Sequence, residues 1–409
     1  MNGYSPLEHI ARMMGNVVRY DEKGNPSIFV RFEKILSSRF DSMLTNRPNS
    51  GNWFPHPAFM INGEEQDHIL LGKFKSAELE ENGTLYALPN MPPRVEAGHT
   101  ASLERMRAFG SGAGGLTIAD HGLLVLIAHK NGWTTRGNND QLYDYRDIAR
   151  WGEAANYNAG DRCVYKGGVY ECTASNSFFW CFPDTCPAFW KRVGSAGGTP
   201  VNPDSNPTGY VGNQTLNGTG PAEWYLGGDM AGICDVQGNV YEAVYGVRLV
   251  DGEIQIIGDN NNAADEHADL TDTGSWKAIK PGSTALGYTL VAPGTEGTIR
   301  YTFQNDKVTL DTAAATRTNK VQSCAFKDIA VNTTNIPTMP QILYELGLAP
   351  LPGTGVDGHF SFWDNKGTLF ACRGGYYGSG EKAGVACLTF DYDYNCDGEE
   401  YGARMRMMA

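Results

Sequence analysis

The sequence predicts an α+β fold in which helices pack against short, mostly antiparallel strands joined by long loops. Three observations lead to this prediction. Glycine makes up 50 of the 409 residues, and glycine is unfavourable inside helices. The run 123–128 is apolar on every side, which indicates one buried helix. The dipeptide Asp251-Gly252 divides the segment 248–257 as the turn of a β-hairpin does.

The first fifty residues contain one predicted helix and one predicted strand. The segment 7–14 has helical spacing, with Ser5 as N-cap and Pro6 in the first turn. The segment 28–32 has strand character after a Gly-Asn-Pro turn. Two interpretations are open for residues 1–54: they pack on the main domain, or they form a docking and assembly segment.

Residues 55–409 form the predicted main domain, interrupted by an insert at 151–195. A first helix is expected over 101–109 and a second over 118–131. Thr117 is a good N-cap for the second helix, and Gly132 supplies its C-terminal stop. The strands are expected from residue 240 onward.

Charge and hydropathy exclude several functional classes. The formal net charge of −13 argues against a nucleic-acid partner, which requires a basic surface. No apolar run approaches the length of a membrane helix. The first six residues lack the basic start and apolar core of a signal peptide. We therefore expect no membrane span, and release from a cell by lysis or within a particle.

The C-terminal stretch has the most unusual composition. Between Asp391 and Tyr401, tyrosine is almost the only apolar residue type. A core strand would alternate with Val, Ile or Leu, so this stretch is expected to face solvent. Tyrosine combined with Ser, Gly and Asn is typical of antibody binding surfaces. The composition alone therefore predicts a binding surface.

The same stretch resembles a known family. Arg373-Gly374-Gly375, Ala383-Gly384-Val385 and Tyr401-Gly402-Ala403-Arg404 resemble the variable region of proteins diversified by retroelements, which include phage tropism determinants. Arg136-Gly137-Asn138-Asn139 and the segment 232–242 are similar to internal motifs of that family. The resemblance implies a C-type lectin domain of the formylglycine-generating-enzyme type. It also implies that residues 373–404 form an exposed, variable ligand-binding face.

The codons of this family explain the composition. Template adenines are copied with errors, so an Asn codon becomes an NNY codon, which encodes Tyr, Asp, Asn, Ser, Gly, Cys, Thr or Ala among others. Lys382, Glu399 and Glu400 cannot arise from such a codon. Tyr376 and Tyr377 depart from the Ser-Trp of the family pattern. The ligand-binding residues implied are Tyr376, Tyr377, Gly378, Ser379, Lys382, Ala386, Thr389, Asp391, Tyr392, Tyr394, Asn395, Cys396, Asp397, Gly398 and Tyr401.

The insert at 151–195 resembles small chitin-binding carbohydrate modules. A hairpin turning at Gly167-Gly168 would place Cys163 opposite Cys172, within reach of a disulfide. Cys181 and Cys186 flank a short loop and form the second candidate bridge. The aromatic residues either stack on sugar rings or pack in a core. The candidates for sugar binding are Tyr165, Tyr170, Trp180 and Trp190.

A calcium site competes with the display interpretation. Asp393, Asn395, Asp397 and Gly398 match the first half of a calcium loop, in which alternating oxygens converge on the ion. The twelfth position should be a bidentate Glu and is Arg404. We therefore expect no cofactor and no metal, with calcium as the alternative.

Enzymatic activity is the weaker interpretation. The catalytic members of the fold family use a closely spaced cysteine pair just after the Arg-Gly-Gly motif, and none is present before Cys387. The eight histidines show no metal-binding spacing. The resulting prediction is a non-enzymatic receptor-binding protein of a phage tail tip. Its expected partners are a host surface protein or glycan, virion proteins contacted through residues 1–54, and further copies of itself, for example in a trimer. The alternatives are a bacterial surface or secreted adhesin and a structural virion protein without a ligand.

Overall fold

A computed structural model describes residues 5–43, 54–81, 83–175, 181–202, 214–257, 274–282, 284, 286–314, 319–353, 356–363, 367–392 and 398–408. Within these residues the fold is α+β, with helices against mostly antiparallel strands. The helices are α1 (Pro6–Met13), α2 (Gly98–Arg107), α3 (Ile118–Asn131) and α4 (Gln341–Glu345).

The strands are β1 (Asn16–Tyr20), β2 (Pro26–Glu33), β3 (Met60–Ile61), β4 (Glu64–Glu65), β5 (His68–Gly72), β6 (Ser76–Glu78), β7 (Leu85–Ala87), β8 (Ala113–Gly115), β9 (Arg162–Tyr165), β10 (Gly168–Cys172), β11 (Trp190–Ser195), β12 (Tyr241–Val250), β13 (Glu253–Ile257), β14 (Trp276–Pro281), β15 (Tyr288–Val291), β16 (Arg300–Gln304), β17 (Lys307–Asp311), β18 (Val321–Ala325), β19 (Ala330–Val331), β20 (His359–Trp363), β21 (Thr368–Arg373), β22 (Leu388–Tyr392), β23 (Tyr401–Gly402) and β24 (Met405–Met407).

One large sheet organises the C-terminal half. Its order is β18-β20-β22-β21-β12-β13-β16-β17-β19, with β14 and β15 extending from β13 and β23 pairing with β12. Among the described strands of this sheet, only the pairs β12–β23, β17–β19 and β20–β22 are parallel. The predicted hairpin at Asp251-Gly252 is confirmed, because both residues have the positive φ of a type I′ turn between β12 and β13.

A second sheet joins the two ends of the chain. Its order is β1-β2-β5-β24-β8, so β5 joins the strands of the first fifty residues to the last strand, β24. Residues 16–33 are therefore part of the main fold. Helix α1 precedes this sheet, begins at a Ser5 N-cap with Glu8 completing a capping box, and leaves Ile10 and Met13 exposed.

Helix α3 lies in the principal core, as the apolar run predicts. The Thr117 side chain caps its N-terminus, and Gly132 ends it in the left-handed conformation, which confirms both predicted ends. Helix α2 starts three residues earlier than expected, and its Leu103 and Met106 are buried. Over the described parts of the chain, no helix combines the length and hydropathy needed to cross a membrane.

Helix α3 approaches α4 so closely that only glycine fits at position 122. A Cβ on Gly122 would lie 1.9 Å from the carbonyl oxygen of Glu345 and 2.6 Å from the carbonyl carbon of Leu346. Gly122→Ala should therefore destabilise the protein by about 1–3 kcal/mol through overpacking, although alanine is the better helix former. Urea unfolding measures the change.

The matched control for this substitution is Gly132→Asn. A Cβ at Gly132 meets no atom within 4 Å, and asparagine tolerates its left-handed conformation. We expect this variant to unfold close to the wild type. A Gly122→Ala protein as stable as Gly132→Asn would contradict the close helix contact.

Candidate functional site

The segment 373–404 begins and ends at arginines that share one buried carboxylate. Arg373 Nη1 donates to Glu242 Oε2 at 2.7 Å, and Arg404 Nη2 donates to Glu242 Oε1 at 2.6 Å. Lys75 Nζ also donates to Glu242 Oε1 at 2.7 Å. All four side chains are fully buried. We call this group the Glu242 cluster.

The geometry keeps Glu242 ionised. Burial by itself would raise the pKa of Glu242, but Arg404, Lys75 and Arg373 hold that pKa well below its usual range. Burial lowers the pKa of Lys75 to about 8, although Glu242 opposes the change. Burial and the nearby Arg373 charge lower the pKa of His121 well below its ordinary value, so His121 is neutral and accepts a hydrogen bond from Arg373 Nε at 3.1 Å.

Two glycines carry the chain from Arg373 out of the sheet. Gly374 and Gly375 have φ of 87° and 80°, a region that favours glycine. A Cβ on Gly375 would also lie 2.9 Å from the Ala383 backbone. The chain then forms a surface turn over residues 376–382, which we call the display loop.

Backbone hydrogen bonds hold the display loop to the Arg-Gly-Asn-Asn turn at 136–139 and to Asn239, just before β12. Gly380 N donates to Asn139 O at 2.8 Å, and Tyr377 N donates to Asn239 O at 3.0 Å. Gln141 N donates to Tyr377 O at 2.7 Å. Because main-chain atoms make these bonds, they do not depend on which side chains the loop carries.

One buried carboxylate organises the turn beneath the display loop. Asp144 accepts from Gly137 N at 3.1 Å, from Asn139 Nδ2 at 3.0 Å and from Gln237 Nε2 at 3.2 Å. Burial would raise the pKa of Asp144, but hydrogen bonds from Arg146 contribute most to the net lowering. The turn that resembles a family motif thus has a definite structural task, which is to support the loop.

The predicted face divides in the structure into exposed and buried positions. In the display loop, Gly378 and Lys382 are exposed, and Tyr376, Tyr377 and Ser379 are half-buried.

The expected exposure of Tyr401 is wrong. Its side chain is 6 % exposed, because β23 pairs with β12. The ring of Tyr401 stacks on that of Tyr241, with 5.4 Å between the ring centroids. The ring of Tyr376 also stacks on that of Tyr241, with 5.3 Å between the two ring centroids.

Ala386 and Thr389 are also corrected from surface to core. Thr389 is 3 % exposed, because its strand β22 lies between β20 and β21 in the large sheet. Ala386 is 0 % exposed: it precedes β22, packs in the principal core, and its N–H donates to Asp357 O at 3.0 Å. Asp391 is half-buried, and its Oδ2 accepts from Ser361 Oγ at 2.8 Å. Burial raises the pKa of Asp391.

The centre of the predicted face lies outside the described residues. This applies to Tyr394, Asn395, Cys396 and Asp397, and therefore to most of the half-matched calcium loop. Gly398 is half-buried, and Tyr392 ends β22. Among the described residues no group of three His, Cys, Asp or Glu side chains could hold a metal ion. Arg404, at the twelfth position of the calcium pattern, belongs to the Glu242 cluster.

The hairpin of the insert has a different register from the predicted one. Its turn is Lys166-Gly167, with φ of 45° and 73°, so Tyr170 and not Cys172 faces Cys163. The predicted direct opposition of Cys163 and Cys172 is therefore wrong, and no disulfide joins them in the structure. Burial raises the pKa of Cys163 to about 12, which suppresses thiolate reactivity.

The second candidate bridge is not formed either. Cys181 and Cys186 are reduced, with their side chains in hydrogen-bond contact. The other predictions for the insert concern its aromatic residues. Tyr165, Tyr170 and Trp190 are 5 %, 9 % and 3 % exposed, so they form the core of the insert and not a sugar platform. Trp180 lies outside the described residues.

Sequence reasoning missed Glu242 and Lys75 as partners of the segment ends. The available signal was the presence of two arginines at the borders of a stretch expected to be exposed. Arginine paired with a buried acid is a frequent way to place a charge in a core. The acid itself could not be identified, because many acidic residues were equally eligible.

The Glu242 cluster leads to a stability prediction. Glu242→Gln would leave three buried cations without their carboxylate, so unfolding should become easier by about 3–5 kcal/mol. Urea titration measures this change. The matched control is Glu33→Gln, which breaks a 2.7 Å pair with Arg31 at the surface and should leave stability nearly unchanged. Equal effects of the two substitutions would contradict a central role for the cluster.

The lowered pKa of Lys75 leads to a pH prediction. Between about pH 8 and pH 10.5, the unfolded chain keeps the Lys75 proton that the folded protein has released. The contribution of Lys75 to the free energy of unfolding should therefore rise with pH across this window. The measurement is the difference in unfolding free energy between wild type and Lys75→Met at pH 7 and at pH 9.5. A difference independent of pH would show that the pKa of Lys75 is not lowered.

Comparison with known proteins adds no independent assignment. No protein-family model matches this chain. No curated protein matches it at a significant level. Any functional conclusion therefore depends on the residue patterns and the geometry described above.

Proposed function

We propose that this chain is a ligand-binding display protein with a C-type lectin-like fold, diversified by a retroelement over residues 373–404, and that it serves as a receptor-binding protein at a phage tail tip. One observation carries the proposal. The two ends of the segment are buried arginines on one carboxylate, whereas the display loop between them is at the surface. This arrangement separates the part that keeps the fold from the part that is free to vary.

Burial along the segment supports this separation. Val385, Leu388 and Phe390 are at most 1 % exposed and belong to the principal core. Gly378 and Lys382 are exposed, and substitutions at such positions usually change stability little. Variation at the loop therefore leaves the scaffold intact, as a diversified binding surface requires.

The charge of the segment bears on its partner. Between residues 376 and 401 there is one lysine against the acids Glu381, Asp391, Asp393, Asp397, Glu399 and Glu400. Of these, Glu381 and Glu399 are exposed. Such a surface favours a host protein or glycan that presents positive groups, and salt weakens the attraction. Binding that weakens with salt and is indifferent to chelators fits this proposal, whereas loss of binding on chelation would favour the calcium alternative.

Attachment to a particle is assigned to the N-terminal region. Helix α1 exposes two large apolar side chains, Ile10 at 58 % and Met13 at 78 %. Apolar groups exposed side by side on one short helix are suited to contact with another chain. We assign this surface to contacts with virion proteins or with further copies of the chain, such as in a trimer.

A binding experiment tests the display loop. The double variant Tyr377→Ala/Lys382→Ala should lose binding to the bacterial cells or surface extracts that the wild type recognises. Its unfolding temperature should stay close to that of the wild type. The matched control is Tyr20→Ala/Lys307→Ala, which removes an exposed tyrosine and an exposed lysine elsewhere. Unchanged binding by the loop variant, or equal loss in both, would contradict the proposal.

A genetic observation tests the diversification. A near-identical, adenine-rich copy of the codons for 373–404, together with a reverse-transcriptase gene nearby, is expected beside the coding sequence. Substitutions among clones should fall at positions where the template carries adenine. Absence of the template copy would remove the retroelement from the proposal and leave the binding role to the first experiment.

A further inference from the structure

A cleft separates the insert from the main fold. Its volume is about 690 Å³. Pockets for small ligands typically measure about 300–1,000 Å³, so the cleft has the size of a binding site. It is not part of the display loop, and none of the predicted site residues that the structure describes lines it.

The main chain ties the insert firmly to the wall of this cleft. Val164 N donates to Ala149 O at 3.0 Å, and Gly167 N donates to Tyr143 OH at 2.9 Å. Just after the insert, Gly198 N donates to Leu142 O at 3.1 Å. A pre-formed cleft of this kind loses little entropy when a ligand binds.

The lining is apolar on one side. Val164 and Val169 lie directly opposite each other on β9 and β10, on the face of the insert that is turned away from its aromatic core. These two valines are 2 % and 9 % exposed, so the accessible apolar surface comes from Ile148, which is 39 % exposed, and from the exposed Pro221. This surface can contact the C–H face of a ring.

The remaining lining is polar and carries both donors and acceptors. Arg136 Nη1 donates to Asp147 Oδ1 at 2.7 Å, and the two side chains remain 34 % and 24 % exposed. Only one of the five N–H donors of the guanidinium is used in this bond. Glu223 is exposed at the cleft, and Ser195 and Thr219 contribute hydroxyl groups.

We propose that this cleft is a second binding site, which takes an uncharged mono- or disaccharide unit. A sugar hydroxyl both donates and accepts hydrogen bonds. It can therefore accept from the Arg136 guanidinium and donate to the carboxylates of Asp147 and Glu223. Sugar ring faces are apolar, like the accessible surface formed by Ile148 and Pro221. The carboxylates of Asp147 and Glu223 outnumber the one guanidinium of Arg136 and repel phosphates and other anions. The Arg136 guanidinium in turn repels cations. The proposal is independent of the display loop, because no residue is shared.

The test is saturation-transfer NMR with the purified full chain. The probes are glucose, galactose, mannose, N-acetylglucosamine and their β-linked disaccharides at millimolar concentration, with inorganic phosphate and spermidine as charged comparisons. At least one neutral sugar should receive magnetisation. Ser195→Tyr, which fills the cleft, should weaken its binding by about tenfold or more. Glu223→Gln should weaken it less, because an acceptor oxygen remains.

Matched controls are Ser111→Tyr and Glu64→Gln, which make the same changes at exposed positions away from the cleft and should bind as the wild type does. The proposal is overturned if no neutral sugar binds, if only a charged probe binds, or if Ser195→Tyr binds as well as Ser111→Tyr. Circular dichroism confirms that each variant is folded. Adsorption to host cells reports separately on the display loop, so either proposal can fail without the other.

Discussion

The carboxylate of Glu242 is the constraint on which the rest of the structure depends. It lies at the start of β12 and forms ion pairs with Lys75, Arg373 and Arg404, which are far apart in the sequence. Removing these charges from water is costly, and only the close approach of opposite charges and good hydrogen bonds offset that cost. Arg404 completes its bonding with the carbonyl oxygens of Gly72 and Cys234, both at 2.8 Å. A non-native arrangement of these segments would leave a buried charge unpaired, so the cluster favours one register over others.

A second buried pair extends the same logic to the C-terminus. Arg406 lies on β24 and pairs with Asp120 at 2.9 Å, and both side chains are fully buried. Asp120 also accepts from the backbone of Thr117 at 2.9 Å, as part of the capping box of α3. One carboxylate therefore satisfies the helix N-terminus and anchors the last strand. The chain leaves the segment 373–404 at Arg404 and reaches Arg406 two residues later, so two buried ion pairs hold the same run of backbone.

The two proposed binding places differ in physical character. Backbone hydrogen bonds to Asn139 and Asn239 hold the display loop, whatever side chains it carries. The cleft at Arg136 and Asp147 has fixed polar groups beside apolar surface of Ile148 and Pro221, which suits the one chemical class of ligand proposed for it. Asp147 lies there with a pKa raised by burial, although Arg136 opposes the change. The cleft lining comes from residues 136, 147–148, 164, 169, 195–197, 219–221 and 223–224, which are separated in the sequence, so no local motif indicates the cleft.

The sequence by itself determined what depends on local chemistry. The caps of α3 at Thr117 and Gly132 and the turn at Asp251-Gly252 follow from short-range preferences and were predicted correctly. The hairpin of the insert failed because three candidate turn positions, Lys166 to Gly168, follow one another, and a shift of one residue at the turn moves every cross-strand pair. Composition could indicate a polar, tyrosine-rich surface at the C-terminus. Only the tertiary structure decided that Ala386 and Thr389 are buried, Thr389 on the inner strand β22, and that Glu242 is the acid between the two arginines, because burial and charge pairing join residues that are distant in the chain.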